Sequence, residues 1–412
     1  MRLADLHDKT IGMCVSGGLD SKTVTKRLTS EGLRVICFTA DLGQPDEADI
    51  HDIARRMAPC GAETVIVDLK AEIADMCLEV VKAGAMYDGG YWNTTGIGRA
   101  VTVRGLARAM QERGIQVLAH GATGRGNDQM RFERYTRSLA PEMEVYAPWR
   151  DPGLLVEFPG RTEMAAYLAG FGIPAVVGLP KRYSTDANLA GLSHEAEDLE
   201  QLETPSLIVA PKMGVWPQHA PDAMETVVIR YRAGRPVEIN GVAVTPLEAM
   251  RQANTIGGRN GIGIKSGLEN RIIGTKSRGV YEGPGMELLH GGLQHVLQAT
   301  LDRRATALYA GLGRMIADQV YDGRWFDTAT RAARAAVDTL TASAGGVVSL
   351  GLYKGNITFL GMTEVAASLY NEADSSMEAS EGLNPASSQG YADILSVEAR
   401  ALAKAGQFRE DA

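Results

Sequence analysis

The stretch IGMCVSGGLDS, residues 11–21, joins an apolar run typical of a buried strand to the start of a helix. The segment from Ser16 to Ser21 is therefore a loop at the carboxyl end of a strand. Paired glycines let such a loop turn tightly and bring its backbone N–H groups close to a ligand. Its serine hydroxyls and the helix dipole favour an anion of phosphate size, and Asp20 indicates an accompanying metal cation. A glycine turn with a Ser/Asp helix cap is the alternative for this hexapeptide alone.

Strand and helix patterns alternate from residue 11 to about residue 172. The predicted strands are Ile11–Val15, Val35–Thr39, Thr64–Asp68, Val117–His120 and Val145–Ala147, and the predicted helices are Thr23–Glu31, Ala48–Met57, Ile73–Lys82, Arg99–Arg113 and Thr162–Phe171. Alternation predicts parallel pairing with right-handed crossovers, and hence an α/β fold with a doubly wound parallel sheet. Because ligands of such sheets bind beyond the carboxyl ends of the strands, the loops after Val15, Thr39 and His120 are expected to face one pocket.

The pattern changes after about residue 174. We predict a β-meander (227–231, 236–239, 242–244), helices over 288–309 and 329–341, a hairpin (347–353, 357–361), a polar linker (371–389) and a terminal helix (392–405). The expected domains are a nucleotide-binding domain over 1–172, an α+β domain over 173–370, and a linker with a C-terminal helix over 371–412.

Composition restricts the class of protein. The 412 residues carry a formal net charge of −8, with 45% hydrophobic and 22% charged residues, as in soluble globular proteins. The net negative charge does not favour binding to nucleic acid. Neither a signal peptide nor a membrane-spanning stretch is expected. Four widely spaced cysteines without a C-x-x-C pair fit a reducing cytoplasm and make a redox or zinc role unexpected.

Two further segments follow predicted strands. In TADLGQ, residues 39–44, the small Ala40 would let the backbone lie against an adenine ring, although a simple turn explains this segment equally well. GATGRGNDQMRFE, residues 121–133, combines three glycines with donors, an acceptor and a cation. Arg131 can hold a carboxylate by a bidentate pair and Asp128 can take an ammonium, which suits an amino acid ligand. A solvated polar loop is the alternative.

The second half carries another polar group of motifs, at residues 183–186, 193–195, 269–271 and 276–281. Their hydroxyls and charges beside glycines favour a second polar ligand. The alternatives are a helix cap for Ser193 and a surface ion pair of Glu269 with Arg271. Residues 258–266 superficially echo a phosphate-binding Walker A loop, but Ile264 rather than glycine precedes the lysine and no strand is predicted before it, so we reject that interpretation.

Taken in order, these motifs resemble the argininosuccinate synthase family, which belongs to the N-type ATP pyrophosphatases with an S-G-G-x-D-S loop. The resemblance runs from about residue 11 to residue 370 and is closest to the bacterial branch. Its motifs are GQPDE at 43–47, YWNTT at 91–95, the block at 121–133, YSTD at 183–186, and ENR with KSRGVY at 269–281.

The resemblance implies roles for individual positions. It implies that the nucleotide is held by Cys14, Val15, Ser16, Gly17, Gly18, Leu19, Asp20, Ser21, Ala40 and Gly121, with Asp20 also at a Mg²⁺ ion. It places L-aspartate at Thr123, Asn127 and Asp128. It places L-citrulline at Tyr91, Thr95, Asn127, Arg131, Ser184, Ser193, Glu269 and Tyr281. Asp20, Asp128 and Arg131 are the candidate catalytic residues.

The reaction implied by the resemblance is the ATP-dependent joining of citrulline to aspartate in arginine biosynthesis. Citrulline attacks the α-phosphate and releases pyrophosphate, and aspartate then displaces AMP from citrullyl-adenylate to give argininosuccinate. A cytoplasmic homotetramer without nucleic-acid or membrane partners is implied. The alternatives are a paralogue with another ureido, guanidino or carboxylate acceptor, a tRNA-modifying ATP pyrophosphatase, and a non-enzymatic nucleotide sensor. Two departures from the family pattern favour the paralogue: Lys22, whose ammonium is expected either near the phosphates or in solvent, and Ser266, where the family usually has aspartate.

Overall fold

A computed structural model describes residues 1–88, 90–124, 126–174, 182–376 and 384–407. The chain divides into two compact units, Met1–Ala366 and Ala367–Ala412. Within the described ranges, no helix has the length and apolarity that a membrane crossing requires.

The strands of the first unit are β1 (Thr10–Cys14), β2 (Arg34–Asp41), β3 (Glu63–Asp68), β4 (Val117–His120), β5 (Glu144–Tyr146), β6 (Ser184–Asn188), β7 (Gly191–Glu195), β8 (Glu225–Arg232), β9 (Arg235–Ile239), β10 (Val242–Ala243), β11 (Ile264–Asn270), β12 (Lys276–Glu282), β13 (Gly346–Tyr353) and β14 (Asn356–Thr363).

The α-helices are α1 (Leu19–Ser30), α2 (Asp52–Met57), α3 (Lys70–Lys82), α4 (Thr94–Gln111), α5 (Asp128–Leu139), α6 (Pro152–Glu157), α7 (Arg161–Gly170), α8 (Pro246–Arg259), α9 (Pro284–Thr300), α10 (Arg303–Tyr321) and α11 (Thr328–Thr341), followed in the second unit by α12 (Glu372–Ser375) and α13 (Ser387–Lys404). Short 3₁₀ turns cover Leu3–Leu6, Ala58–Cys60, Pro148–Arg150, Glu197–Glu200, Ser206–Ile208 and Pro217–His219.

The first five strands form one parallel sheet in the order β3-β2-β1-β4-β5. The α/β fold with a doubly wound parallel sheet is therefore confirmed. The strand order reverses direction between β1 and β4, so the loops leaving these two strands diverge and open a crevice at the carboxyl edge. The glycine loop follows β1 and the GATGRGND segment follows β4, which places both at this crevice.

Two antiparallel sheets follow, in the orders β10-β9-β8-β13-β14 and β11-β12-β7-β6. The sequence predicted the meander and hairpin of the first but none of the strands of the second. Those strands read STDAN, GLSHE, IKSGLEN and KSRGVYE. They lack the alternation of apolar and polar residues that indicates a half-buried strand, because many of their side chains line a polar cavity. Ser193 is consequently a buried residue within β7, and the alternative of a helix cap is wrong.

The predicted continuous helix over residues 288–309 is also wrong. The backbone is extended at Leu301, and the Asp302 side chain accepts hydrogen bonds from the N–H groups of Arg304 and Ala305, so that α9 ends and α10 begins there. The sequence missed α8 as well, although Thr245 and Glu248 form a capping box with Pro246 between them. Part of the predicted linker, residues 377–383, lies outside the described residues.

Candidate active site

The glycine loop is built as its sequence requires. Gly17 has a φ of 72°, a left-handed conformation that glycine adopts without a Cβ penalty, and Gly18 is the N-cap of α1. The Ser21 hydroxyl accepts a hydrogen bond of 3.0 Å from the backbone N–H of Ser16, which ties the two ends of the loop together. Asp20 lies in the first turn of α1, where a carboxylate is favoured by the helix dipole.

The three loops that follow β1, β2 and β4 line one cavity of about 640 Å³, as predicted. We call it the nucleotide-side cavity. Residues predicted to contact the nucleotide line it at Cys14, Val15, Ser16, Asp20, Ser21, Ala40 and Gly121. Gly17, Gly18 and Leu19 complete the turn between them without being part of the lining. Apolar side chains such as Phe38, Ile53 and Phe132 line the same cavity, so it offers both a polar end and a surface for a flat ring.

Asp20 is the carboxylate beside the glycine loop in this cavity, and burial raises its pKa. In the described part of the chain, no cluster of three or more His, Cys, Asp or Glu residues is placed to hold a metal ion. Magnesium is commonly bound through one or two carboxylates together with the phosphates of a substrate. The donor set therefore fits a Mg²⁺ ion held jointly by Asp20 and bound phosphates, rather than a metal site made by the protein alone.

A second cavity, of about 470 Å³, adjoins the first, and we call it the acceptor-side cavity. The residues predicted to contact the two amino acids all line it: Tyr91, Thr95, Thr123, Asn127, Asp128, Arg131, Ser184, Ser193, Glu269 and Tyr281. They come from the segment just before α4, the start of α4, the loop after β4, α5, and the four-stranded antiparallel sheet. Segments separated by up to about 190 positions in the sequence thus converge on one space.

The two cavities share a wall, which is lined on both sides by Ser16, Arg99, Gly121, Ala122, Thr123, Asp128, Thr185 and Asp186. Arg99 donates from Nε to Asp128 Oδ2 at 2.9 Å and from Nη2 to Asp186 Oδ2 at 2.6 Å. Burial works to raise the pKa of Asp128, but Arg99 and Arg131 outweigh it and hold that pKa below its usual range. Asp128 is therefore ionised at neutral pH.

The Glu269 carboxylate lines the acceptor-side cavity but not the shared wall, and it is almost fully buried. Tyr91 and Tyr281, whose rings stack at 3.8 Å, both donate to its Oε2 atom. Tyr321 donates to Oε1 at 2.8 Å. Burial and the neighbouring carboxylate raise the pKa of each of these three phenols, so they remain donors and solvate the buried charge.

Arg131 is buried and already fixed by protein groups. Its Nη1 atom donates to Asp128 at 3.0 Å, and its Nε atom donates to the backbone oxygen of Tyr321 at 2.9 Å. The guanidinium is thus presented to the cavity in one orientation. A substrate that contacts Arg131 has to bond to guanidinium N–H groups other than those used in these two bonds.

The two departures from the family pattern lie at the periphery. The Lys22 ammonium contacts the backbone oxygen of Pro174 at 3.3 Å, and Lys22 does not line the nucleotide-side cavity. The exposed Ser266 donates to the Ser206 hydroxyl at 2.8 Å and does not line the acceptor-side cavity. Neither residue therefore gives a structural reason for an altered substrate.

Glu195, at the end of β7, is a cavity-lining carboxyl that no predicted role covered. Burial, the charge of Glu269 and the more distant Asp186 and Asp128 raise its pKa from 4.5 to about 7, against a lowering by the Ser193 hydroxyl. The folded protein then keeps a proton that the unfolded chain releases between these two values. The free energy of unfolding therefore decreases as the pH rises from 4.5 to about 7.

We expect Glu195→Gln to increase the melting temperature more at pH 8 than at pH 5, because glutamine removes the buried charge. At pH 8 the substitution should increase the free energy of unfolding by at most about 3 kcal/mol. Thermal unfolding at both pH values measures it. Glu200→Gln, which changes an exposed carboxylate five residues further on, should alter neither curve appreciably. An equal effect of Glu195→Gln at both pH values would contradict the assigned proton.

Sequence reasoning also missed Arg99 and Tyr321 as parts of the site. Arg99 did not stand out, since it is one of three arginines on its helix, with Arg104 and Arg108. Tyr321 carried no signal, because it lies 52 residues beyond Glu269 at the end of an amphipathic helix.

Comparison with known proteins agrees with this geometry. A family model described as the arginosuccinate synthase N-terminal HUP domain matches residues 10–174, and one described as the arginosuccinate synthase C-terminal domain matches residues 183–402. The chain belongs to the argininosuccinate synthase family. An argininosuccinate synthase from Rhodopirellula baltica (strain DSM 10527 / NCIMB 13988 / SH1) is 38% identical over 395 residues, which cover 95% of this chain and 97% of that protein.

The family assignment confirms the predicted enzyme class, a ligase of arginine biosynthesis that joins citrulline and aspartate at the expense of ATP. Nothing in these comparisons favours the paralogue with a different acceptor.

Proposed function

We propose that the two adjoining cavities divide the synthesis of argininosuccinate into two steps at their shared wall. ATP occupies the nucleotide-side cavity and citrulline the acceptor-side cavity, so the ureido oxygen meets the α-phosphate beside Arg99. Pyrophosphate leaves, and the amine of aspartate then displaces AMP from citrullyl-adenylate. The observation that carries this proposal is the set of residues, including Thr123 and Asp128, that line both cavities.

The charges of the acceptor-side cavity suit this chemistry. Transfer of AMP to the neutral ureido oxygen leaves positive charge on the ureido carbon and its nitrogens. Carboxylates of Glu269, Asp128 and Asp186 line the cavity in which that charge develops. Fixed charges at a site of low dielectric stabilise a developing charge without reorganising. Positioning and electrostatics therefore supply the catalysis, and a protein nucleophile is not needed.

Asp128 and Thr123 are the proposed contacts of aspartate, with Asp128 opposite its ammonium. Asp20 is the proposed protein ligand of Mg²⁺, and the ion, when bound, would neutralise phosphate charge during departure of pyrophosphate. The glycine loop donates to the phosphates from its backbone and from the hydroxyls of Ser16 and Ser21.

Arg131→Lys is expected to increase the KM of citrulline by about tenfold or more and to change the KM of ATP little. A single ammonium cannot bond Asp128, the Tyr321 backbone and a substrate carboxylate in the planar geometry of a guanidinium. Arg134→Lys is the matched control, since Arg134 lies on the same helix and pairs with Asp327 outside the cavity. An unchanged citrulline KM in Arg131→Lys would count against Arg131 as a substrate contact.

We also propose a homotetramer in the cytoplasm and the domain division 1–172, 173–370 and 371–412. The family resemblance suggests the assembly, and helix α13 presents apolar side chains of Tyr391, Ile394, Leu395 and Val397 that are more than half exposed within this chain. The four cysteines are free, which suits a reducing compartment. Light scattering of the purified protein measures the assembly.

The function itself is tested by pyrophosphate release from ATP with aspartate and a panel of acceptors: citrulline, a longer and a shorter ureido acid, arginine and glutamine. We expect release with citrulline and formation of argininosuccinate and AMP in equal amounts. Faster release with another member of the panel would identify a different acceptor, and release without any acceptor would indicate simple ATP hydrolysis.

A further inference from the structure

Tyr321 connects parts of the acceptor-side cavity that arise far apart in the sequence. Its hydroxyl donates to Glu269 Oε1 at 2.8 Å and accepts a hydrogen bond from Asn127 Nδ2 at the same distance. Its backbone oxygen accepts from Arg131 Nε at 2.9 Å, and the Arg131 guanidinium lies 5.0 Å from the centre of its ring. The other face of the ring stacks on Tyr87, with centroids 3.9 Å apart.

The direction of this hydrogen-bond chain is fixed. The backbone N–H of Ile272 donates to Asn127 Oδ1 at 3.1 Å, so the amide of Asn127 has to turn its NH₂ group toward Tyr321. The phenol oxygen accepts that bond, and its proton is then committed to Glu269. Burial and the charge of Glu269 raise the pKa of Tyr321, which keeps the proton on the phenol. The Asn127 amide and the Glu269 carboxylate are therefore held in one mutual orientation.

The fold also fixes Tyr321 itself. It is the last residue of α10, and Gly323 follows with a φ of 73°, the left-handed conformation common after a helix end. A Cβ at Gly323 would lie only 3.2 Å from the Cα atom of Arg131, so the chain passes close to α5 at this point. Tyr321 is 2% exposed and lines the cavity, a combination of burial and contact that leaves its ring one position.

We propose that Tyr321 is a positioning residue of the acceptor site, acting through Asn127 and Glu269 to orient the bound amino acid. The inference rests on the proposed function for the identity of that amino acid. Without the phenol hydroxyl, the Asn127 amide loses its acceptor and Glu269 Oε1 loses a donor, while ring stacking and the backbone bond to Arg131 persist. Recognition of the acceptor should therefore suffer, and binding of ATP in the neighbouring cavity should not.

Tyr321→Phe tests this, with Tyr309→Phe as the matched control. Tyr309 lies on the same helix, and its hydroxyl donates to the backbone oxygen of Lys82 at 2.9 Å, away from both cavities. Each variant loses one phenol hydroxyl from the same helix. We expect the KM of citrulline to rise about tenfold or more in Tyr321→Phe only, with the KM of ATP within about twofold of the unmodified enzyme in both.

A double-mutant cycle with Asn127→Ala separates positioning from a general loss of stability. If Tyr321 acts through Asn127, the two substitutions together should raise the citrulline KM by clearly less than the product of their separate effects. An unchanged citrulline KM in Tyr321→Phe, an equal rise in Tyr309→Phe, or fully multiplicative effects would overturn the inference. Absence of citrulline-dependent pyrophosphate release in the unmodified enzyme would instead refute the proposed function.

Discussion

Replacing Asp20 by alanine should reduce pyrophosphate release by at least about a thousandfold, equivalent to about 4 kcal/mol of activation free energy. Asp20 is the carboxylate next to the glycine loop in the nucleotide-side cavity, where it is the proposed protein ligand of Mg²⁺. Initial rates with saturating ATP, citrulline and Mg²⁺ measure the effect.

The fold should survive this change. Burial raises the pKa of Asp20, so the charge of this carboxylate does not stabilise the fold at neutral pH. The melting temperature of Asp20→Ala should therefore stay close to that of the unmodified protein. Glu72→Ala is the control, because Glu72 is also an acid in the first turn of a helix but lies outside both cavities. Activity of Asp20→Ala within about tenfold of the unmodified enzyme would show that the assigned role is wrong.

Asp128→Asn should separate the two steps. In the proposed mechanism, the first step uses the glycine loop and the Glu269 carboxylate, which this change leaves in place. In the same mechanism, the second step uses the Asp128 carboxylate opposite the ammonium of aspartate, and asparagine carries no charge. We expect net argininosuccinate formation to fall by at least about a hundredfold, or about 2.7 kcal/mol, while adenylation persists.

Exchange of labelled pyrophosphate into ATP, with citrulline present and aspartate absent, measures adenylation alone. Glu133→Gln serves as the control on the same helix, since Glu133 pairs with Arg150 outside the site and its loss should leave both measurements unchanged. Equal loss of exchange and of product in Asp128→Asn would show instead that Asp128 serves the nucleotide, or that it mainly balances the charges of Arg99 and Arg131.

The nucleotide-binding half was predictable because its signals are local. Each strand of the parallel sheet is a short apolar run, and each ligand loop follows directly from a strand, so topology alone places Ser16 and Thr123 at the same edge. The predicted bounds differ from the observed ones mostly by a few residues. For example, α1 begins at Leu19 instead of Thr23, since Gly18 is already the N-cap. However, α5, which carries Asp128 and Arg131, and α6 were not predicted.

The acceptor side could be predicted from motifs but not from patterns. Ser184 and Tyr281 lie in motifs that carry the family resemblance, which also assigns a role to Ser193. Their strands lack the alternation of apolar and polar residues, so periodicity did not predict the sheet that presents them. Tyr321 and Arg99 acquire their meaning only from tertiary contacts, with Glu269 and Asp128 respectively. These partners are 52 and 29 positions away, respectively, and the spacing of residues in a single sequence does not predict hydrogen bonds over such separations.

The shared wall between the cavities bears on the fate of the activated intermediate. Thr123 and Asp128 line both cavities. In the proposed arrangement, citrullyl-adenylate would therefore form where aspartate is to bind, with no distance to travel between the half-reactions. Its lifetime is then decided by competition inside one enclosure, between forward attack by the amine, reversal with pyrophosphate, and attack by water. Enzyme starved of aspartate should therefore return the adenylate to ATP and citrulline instead of losing it to the solvent.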